Sequence, residues 1–341
     1  MKFRFPKLER LDTVVVIAIV GASILAIVIF YWLVSSSRIV ITNNDREIPE
    51  QVSALRGEAC QTPTQRPIAV MLASDYEARP LSAVGQADMV FEMPVTPDGI
   101  TRMMAVYQCS APKEMGSIRS ARADFIPLAQ GLDAILVHWG GEKDALDSLN
   151  RGVINNIDAL KYEGTTFYRK NSIPRPHNGF TSSELLTRRI EQLDYRATTS
   201  LDPYLHLTEP SDRNLGSLVD TIEIPWPQGM SVRFTYDRST NTYVRARGGS
   251  PEYDAQTNTQ VRASVVILVE TTATFQHDQY IRVDTLGSGA ATIWQNGRRM
   301  NGLWRKDRAL DKLVFTDSQG TELPLMPGMI WVLIDAPLSN I

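Results

Sequence analysis

Twenty-two consecutive residues near the start of the chain, Thr13 to Val34, carry no charge (TVVVIAIVGASILAIVIFYWLV). Among them only Thr13 and Ser23 bear aliphatic hydroxyls. A helix needs about 20 apolar residues to cross a hydrocarbon core, so the run is long enough to span one. A signal-peptide apolar region is about 7–15 residues and ends at a small-residue cleavage site of A-x-A type, which this run lacks. A buried core helix of a globular protein would keep a polar face, and none exists here. Lys2, Arg4, Lys7 and Arg10 precede the run, and only Arg38 follows closely. The positive-inside rule then places residues 1–12 in the cytoplasm and everything after Ser35 outside it. The expected topology is a single-pass anchor carrying extracytoplasmic domains.

The remainder is long enough for a packed core. Of 341 residues, 43% are hydrophobic and 21% charged, which excludes wholesale disorder. A net charge of −3 lacks the basic footprint of a nucleic-acid binder. Residues 35–65 turn polar and read as a stalk. From residue 66, short apolar runs bounded by turn residues (67–73, 88–95, 100–108, 133–138) read as buried strands. Helix patterns at 121–132, 142–150 and 182–195 lie among them, the last with Thr181 and Glu184 as a capping-box pair. Residues 66–205 are therefore expected to form a mixed α/β layer domain. After a linker at 206–224, residues 225–336 read as an all-β barrel or sandwich, with strands at 231–237, 242–247, 264–271, 280–286, 291–294, 302–304, 313–316 and 329–334. Pro97-Asp98-Gly99 and Asn296-Gly297 mark hairpins, the latter a type I′ turn. The fold class is α+β: a transmembrane helix, an α/β domain and a β domain.

Phosphate-binding G-x-x-x-x-G-K-[ST], H-E-x-x-H, C-x-x-C and G-x-S-x-G motifs are absent, and no cofactor is implied. The richest stretch is Gly116-Ser117-Ile118-Arg119-Ser120-Ala121-Arg122-Ala123-Asp124. Ser120 reads as an N-cap, with Arg122 in the first helical turn, where a cation is disfavoured unless an anion sits there too. Two readings stand: Arg119 and Arg122 hold an anionic ligand, or they pair with Asp88, Glu92 or Asp124. His138, at the end of an apolar run before Gly140-Gly141, lies where open α/β sheets bind ligands, or is a hydrogen-bonded core histidine. Pro174-Arg175-Pro176-His177-Asn178 forms a stiff polar loop, functional or merely connecting. His138 and His177 lack an obvious third ligand for a metal site. Cys60 and Cys109, both outside the membrane, are expected to form a disulfide; the alternative is a reactive Cys109 thiolate.

These stretches resemble the YerB-like family of bacterial envelope proteins. The resemblance is carried by Ala78-Arg79-Pro80, Gln86 to Glu92, Gly99-Ile100-Thr101-Arg102, Ile118 to Arg122, His138-Trp139-Gly140-Gly141, Arg169 and Pro176-His177-Asn178. It continues through Asn296-Gly297, Gly302 to Lys306 and Pro327 to Trp331. It implies a two-domain extracytoplasmic protein and assigns no reaction. Many members are lipoproteins; here no lipobox cysteine is present, and the 13–34 run takes over anchoring. A fainter similarity, in residue order and type only, links Ala87-Asp88 and Ser117 to Ser120 to the LytR-CpsA-Psr glycopolymer phosphotransferases. The expected function is binding of an anionic ligand, a cell-wall polymer or lipid phosphate, in a cleft of the first domain. Arg102, Arg119, Arg122 and Arg169 would be its cations, with His138, His177 and Asn178 as polar partners and Trp304 as an exposed recognition surface. The competing expectations are a phosphotransferase or hydrolase using Asp88 or Glu92 as metal ligand or base, and a structural module that binds an envelope protein partner.

Overall fold

A computed structural model describes residues 51–208, 216–227, 229–277 and 279–339. The cytoplasmic tail 1–12, the 13–34 span and the first part of the stalk, 35–50, lie outside the described residues, as do residues 209–215 of the 206–224 linker, whose later part carries the strands Ser217–Leu218 and Thr221–Ile224. Among the described residues no helix is long and apolar enough to cross a membrane. Residues 51–65 correct the stalk assignment, because they are folded into the body. Leu55 is fully buried. Ala54 O accepts from Tyr204 N at 3.0 Å and Arg56 O from Gly328 N at 2.7 Å. Cys60 is bonded to Cys109 across 49 residues. Polar composition in this stretch conceals a few anchoring contacts to distant parts of the chain.

The runs Ile68–Ala73, Met89–Pro94 and Thr101–Tyr107 are buried at every position, the behaviour of strands covered on both faces. They lie in one 11-stranded mixed sheet that contains both halves of the chain. Its order is Val314–Thr316, Arg298–Lys306, Gly287–Gln295, Val265–Glu270, Ile330–Asp335, Met89–Pro94, Thr101–Tyr107, Ile68–Ala73, Ile135–His138 and Asn156–Asp158, with Ser217–Leu218 also paired to Arg298–Lys306. The C-terminal half is β-rich as expected, but it is not a separate barrel or sandwich. The apolar strand Ile330–Asp335 needs a partner on each edge. It pairs in parallel with Val265–Glu270 on one side and with Met89–Pro94 on the other, which fuses the halves. Both expected turns form: Val95 N donates to Ile100 O at 2.8 Å across the first. Asn296 and Gly297 take φ of +56° and +68° in the second, the left-handed geometry of a type I′ turn.

Short helices cover one face of the sheet: Phe125–Gly131 and Lys143–Asn150 pack there with Met71, Phe91 and Met104. On the other face lie the helix Ser183–Gln192 and a second sheet built from Thr221–Ile224, Val232–Asp237 and Thr242–Arg247. Ser182, one residue beyond the expected Thr181, caps the 183–192 helix by accepting from Leu185 N. The helix expected at 121–132 starts only at Phe125, so Ser120 is not its N-cap and Arg122 is not in its first turn. Ala121 N is instead bonded to Gly140 O and Trp139 N to Arg119 O, and these bonds hold the segment extended beside the next strand.

Strands 68–73, 89–94, 135–138, 156–158, 265–270 and 330–335 all run parallel. Their carboxyl ends therefore share one edge. Ligands of open α/β sheets bind at that edge.

Candidate functional site

Arg102 is the second residue of Thr101–Tyr107 and stands opposite Met93 and Ala73, near the carboxyl edge. Directly opposed residues share a face, so the side chain belongs to the helix-covered face with Met93. It is 3% exposed, and its Nε and Nη1 are buried without an acceptor. Burial, reinforced by Arg119 and Arg122, lowers its guanidinium to about 9, still cationic at neutral pH. A buried donor without a partner loses the full hydration of that group.

The segment after Gly116 brings the other two cations. Arg119 N donates to Met71 O at 2.9 Å, which ties the segment to Ile68–Ala73. Arg119 Nη1 meets His177 Nδ1 at 3.3 Å, and His177 Nδ1 lies 3.9 Å from Asp75. Burial pulls the His177 imidazole below its ordinary value, against the opposing pull of Asp75. Arg122 rests on the Tyr280 ring, 4.8 Å from its centroid. Ser117 Oγ and Asp75 Oδ2 are also buried without hydrogen-bond partners. Arg102, Arg119, Arg122 and His177 are thus brought together with Asp75 and Tyr280. The arginines outnumber the carboxylate, and the cluster can hold an anion by charge-assisted hydrogen bonds. Its helix has only seven residues and begins after Arg122, so the attraction belongs to the guanidiniums and not to a helix terminus.

The remaining expected residues take internal partners. His138 is fully buried, with Nδ1 2.8 Å from Gly140 O and Nε2 3.2 Å from Asn156 Oδ1. Both ring nitrogens are occupied, so it is a core histidine at the right edge of the sheet and not a cleft residue. Arg169 bonds Glu163 at 2.7 Å and Asn178 Oδ1 at 2.9 Å, and stacks 4.1 Å from the Trp139 ring centroid. The side-chain oxygen of Asn178 is therefore engaged by Arg169. Among the described residues no group of three histidine, cysteine or acidic side chains could hold a metal ion.

Asp88 and Glu92 do not reach the arginine cluster. Asp88 precedes Met89–Pro94 at the opposite end from Met93, roughly 16 Å away at about 3.3 Å per residue. It accepts from Gln108 N at 2.5 Å and Cys109 N at 3.1 Å. Burial raises its carboxyl despite these bonds. Glu92 alternates with Met93 and so faces the other side of the sheet. It bonds Arg245 at 2.8 Å, and also Arg247 and Thr101. Cys109 is bonded to Cys60 and is no free thiolate. Trp304 is 2% exposed and donates to Glu270 O at 2.8 Å, so it offers no recognition surface.

Sequence reasoning missed Asp75, Tyr280 and the group around Arg245, Arg247 and Glu252. Arg245 and Arg247 share the phase of Tyr243 in the alternating strand Thr242–Arg247, and all three are buried. That shared phase was the available signal. Nothing local marks Tyr280, which meets Arg122 from the other half of the chain.

Two domain models of one family match the chain. The N-terminal domain of the family described as protein of unknown function DUF3048 matches residues 54–196, and its C-terminal domain residues 222–332. A relative from Bacillus subtilis (strain 168) named "Putative lipoprotein YerB" is 27% identical over 313 residues, 90% of this chain and 92% of the relative. The crystal structure of the YerB protein from Bacillus subtilis superposes with a TM-score of 0.76 at 27% identity. It covers 84% of this chain and 97% of the other.

Proposed function

Since the chain belongs to the two-domain DUF3048 family, we propose that it is a membrane-anchored envelope protein that binds an anionic ligand. The ligand group is a phosphate or carboxylate, carried by a cell-wall polymer or a lipid headgroup. Arg102 would meet it from inside the fold, Arg119 and Arg122 from the flanks, and His177 beside Arg119. The observation that carries the reading is the buried Arg102 guanidinium, with two nitrogens lacking any acceptor and two further arginines acting on it. A cation placed there for stability alone would be paired.

The envelope location rests on the uncharged run 13–34 with its flanking charges, and on the relative named as a lipoprotein. In this reading the chain after Ser35 is extracytoplasmic, which protease added to intact spheroplasts tests: digestion of that part is expected, and protection would contradict the orientation. Binding is tested by calorimetric titration of the full chain with wall-polymer and lipid-phosphate fragments. Arg119→Ala or Arg122→Ala should lose about 1.5–3 kcal/mol, roughly ten- to a hundredfold in affinity, without a fall in melting temperature. Mutants that melt far below wild type would mark the arginines as structural, and absence of anionic binding by wild type would remove the reading.

A further inference from the structure

On the face of the sheet opposite Arg102 lies a cavity of about 860 Å³ lined by Tyr76, Arg79, Met230, Arg247, Glu252 and Tyr253, among others. Its size falls in the range of small-molecule sites, roughly 300–1,000 Å³. Two of its lining residues, Arg247 and Glu252, belong to a buried charged network. Glu92 pairs with Arg245 and Arg247, and Glu252 Oε2 lies 3.1 Å from Arg245 and 3.6 Å from Arg247. Arg245 also packs 4.1 Å from the Trp331 ring centroid. Burial works to raise the Glu252 carboxyl, but Arg245, Arg247 and Arg79 outweigh it and hold the group below its ordinary value.

The network is ion-paired yet not saturated with hydrogen bonds beside the cavity. Glu252 is 5% exposed and its ion pairs with Arg245 and Arg247 leave both carboxylate oxygens without a well-directed hydrogen bond; Arg247, 2% exposed, meets Glu252 through Nε only at 3.6 Å, and Arg79 Nε has no acceptor. Acceptors and donors short of a full set of bonds therefore lie side by side just beneath the wall. Its charges balance: Glu77 and Glu252 face Arg79 and Arg247. At the rim, Tyr76 is 76% and Tyr253 46% exposed, a strong exposure for aromatic rings. A ligand that suits this wall is uncharged, donates and accepts at neighbouring atoms, and has an apolar face to lay on a tyrosine ring. A pyranose has all of these properties, because each hydroxyl both donates and accepts and its axial C–H groups form the apolar face.

We propose that this cavity is a binding site for a neutral saccharide, with Glu252, Arg247 and Arg79 bonding its hydroxyls and Tyr253 or Tyr76 stacking on a ring. The site uses none of the residues of the anion cluster, so it stands or falls separately from the proposed function.

The test is calorimetric titration of the full chain, in a detergent without a sugar headgroup, with cellobiose, maltose and N,N′-diacetylchitobiose, and with tetraglycine as a non-sugar amide. At least one disaccharide is expected to bind. Tyr253→Ala, at an exposed rim position, should weaken it tenfold or more with an unchanged melt. Glu252→Gln should weaken it by at least as much, and Arg119→Ala should leave it unchanged. Absence of binding by all three disaccharides would overturn the proposal, as would equal binding by wild type and Tyr253→Ala, or binding of tetraglycine in their place.

Discussion

The two faces of the central sheet bury arginine in opposite ways. On one, Arg245 and Arg247 hold Glu92 between them and meet Glu252. On the other, Arg102 is buried to a similar degree beside Arg119 and Arg122, and no carboxylate reaches its Nε or Nη1. Burial alone does not distinguish a structural arginine from a binding one. What distinguishes them is whether the fold supplies the counter-charge. Breaking a buried pair leaves an uncompensated charge, whereas removing an unpaired cation removes a strain.

The contrast is sharpest in stability. Glu92→Gln takes the shared carboxylate from two buried guanidiniums and should cost about 3–5 kcal/mol in denaturant unfolding. Arg102→Met, similar in volume, should leave stability unchanged or raise it by up to about 3 kcal/mol, since it deletes donors that have no partner. Equal losses in the two variants would erase the distinction. The disulfide provides a reference perturbation remote from both clusters. By loop-closure entropy over 49 residues, Cys60→Ala with Cys109→Ala should cost up to about 4 kcal/mol. Anion affinity at a fixed temperature below the transition should not change with it.

Much of the molecule could be read from the chain. The strands at 68–73, 89–94 and 101–107 declare themselves as unbroken apolar runs, and Pro97-Asp98-Gly99 and Asn296-Gly297 declare their turns by chemistry. The joining of the halves could not be read. The strand 330–335 appears equally apolar whether its neighbour is 60 or 240 residues away, and only packing selects Met89–Pro94. The site was legible in the same partial way. Arg119 and Arg122 stand out because cations cluster in one segment, although the helix terminus invoked for them begins later. His138 and Arg169 have the right residue types, but their partners, Asn156 and Glu163, are chosen by the fold. Asp75 and Tyr280 carry no motif and enter only through three-dimensional proximity.

A smaller effect separates the faces through pH. His177, next to Arg119 and Asp75, has a depressed folded value. Its contribution to stability is present above the unfolded value of about 6.5 and is lost as pH falls through the folded one. A bound anion favours the imidazolium. Sulfate, whose charge is constant from pH 7.5 to 5.5, should therefore bind more tightly as pH falls, and His177→Gln should flatten that dependence. A profile unchanged by the substitution would detach His177 from the site.

In the proposed function the missing partner of Arg102 is an anion. Thermal melts of wild type and Arg102→Met, in sodium sulfate and in sodium chloride of equal ionic strength, test it most directly. Sulfate stabilises folded proteins generally by exclusion from their surface, and that part must appear in both proteins. If an anion fills the site, wild type alone should show an additional, saturable rise of the form set by binding to the native state. Identical sulfate responses in wild type and Arg102→Met would contradict it.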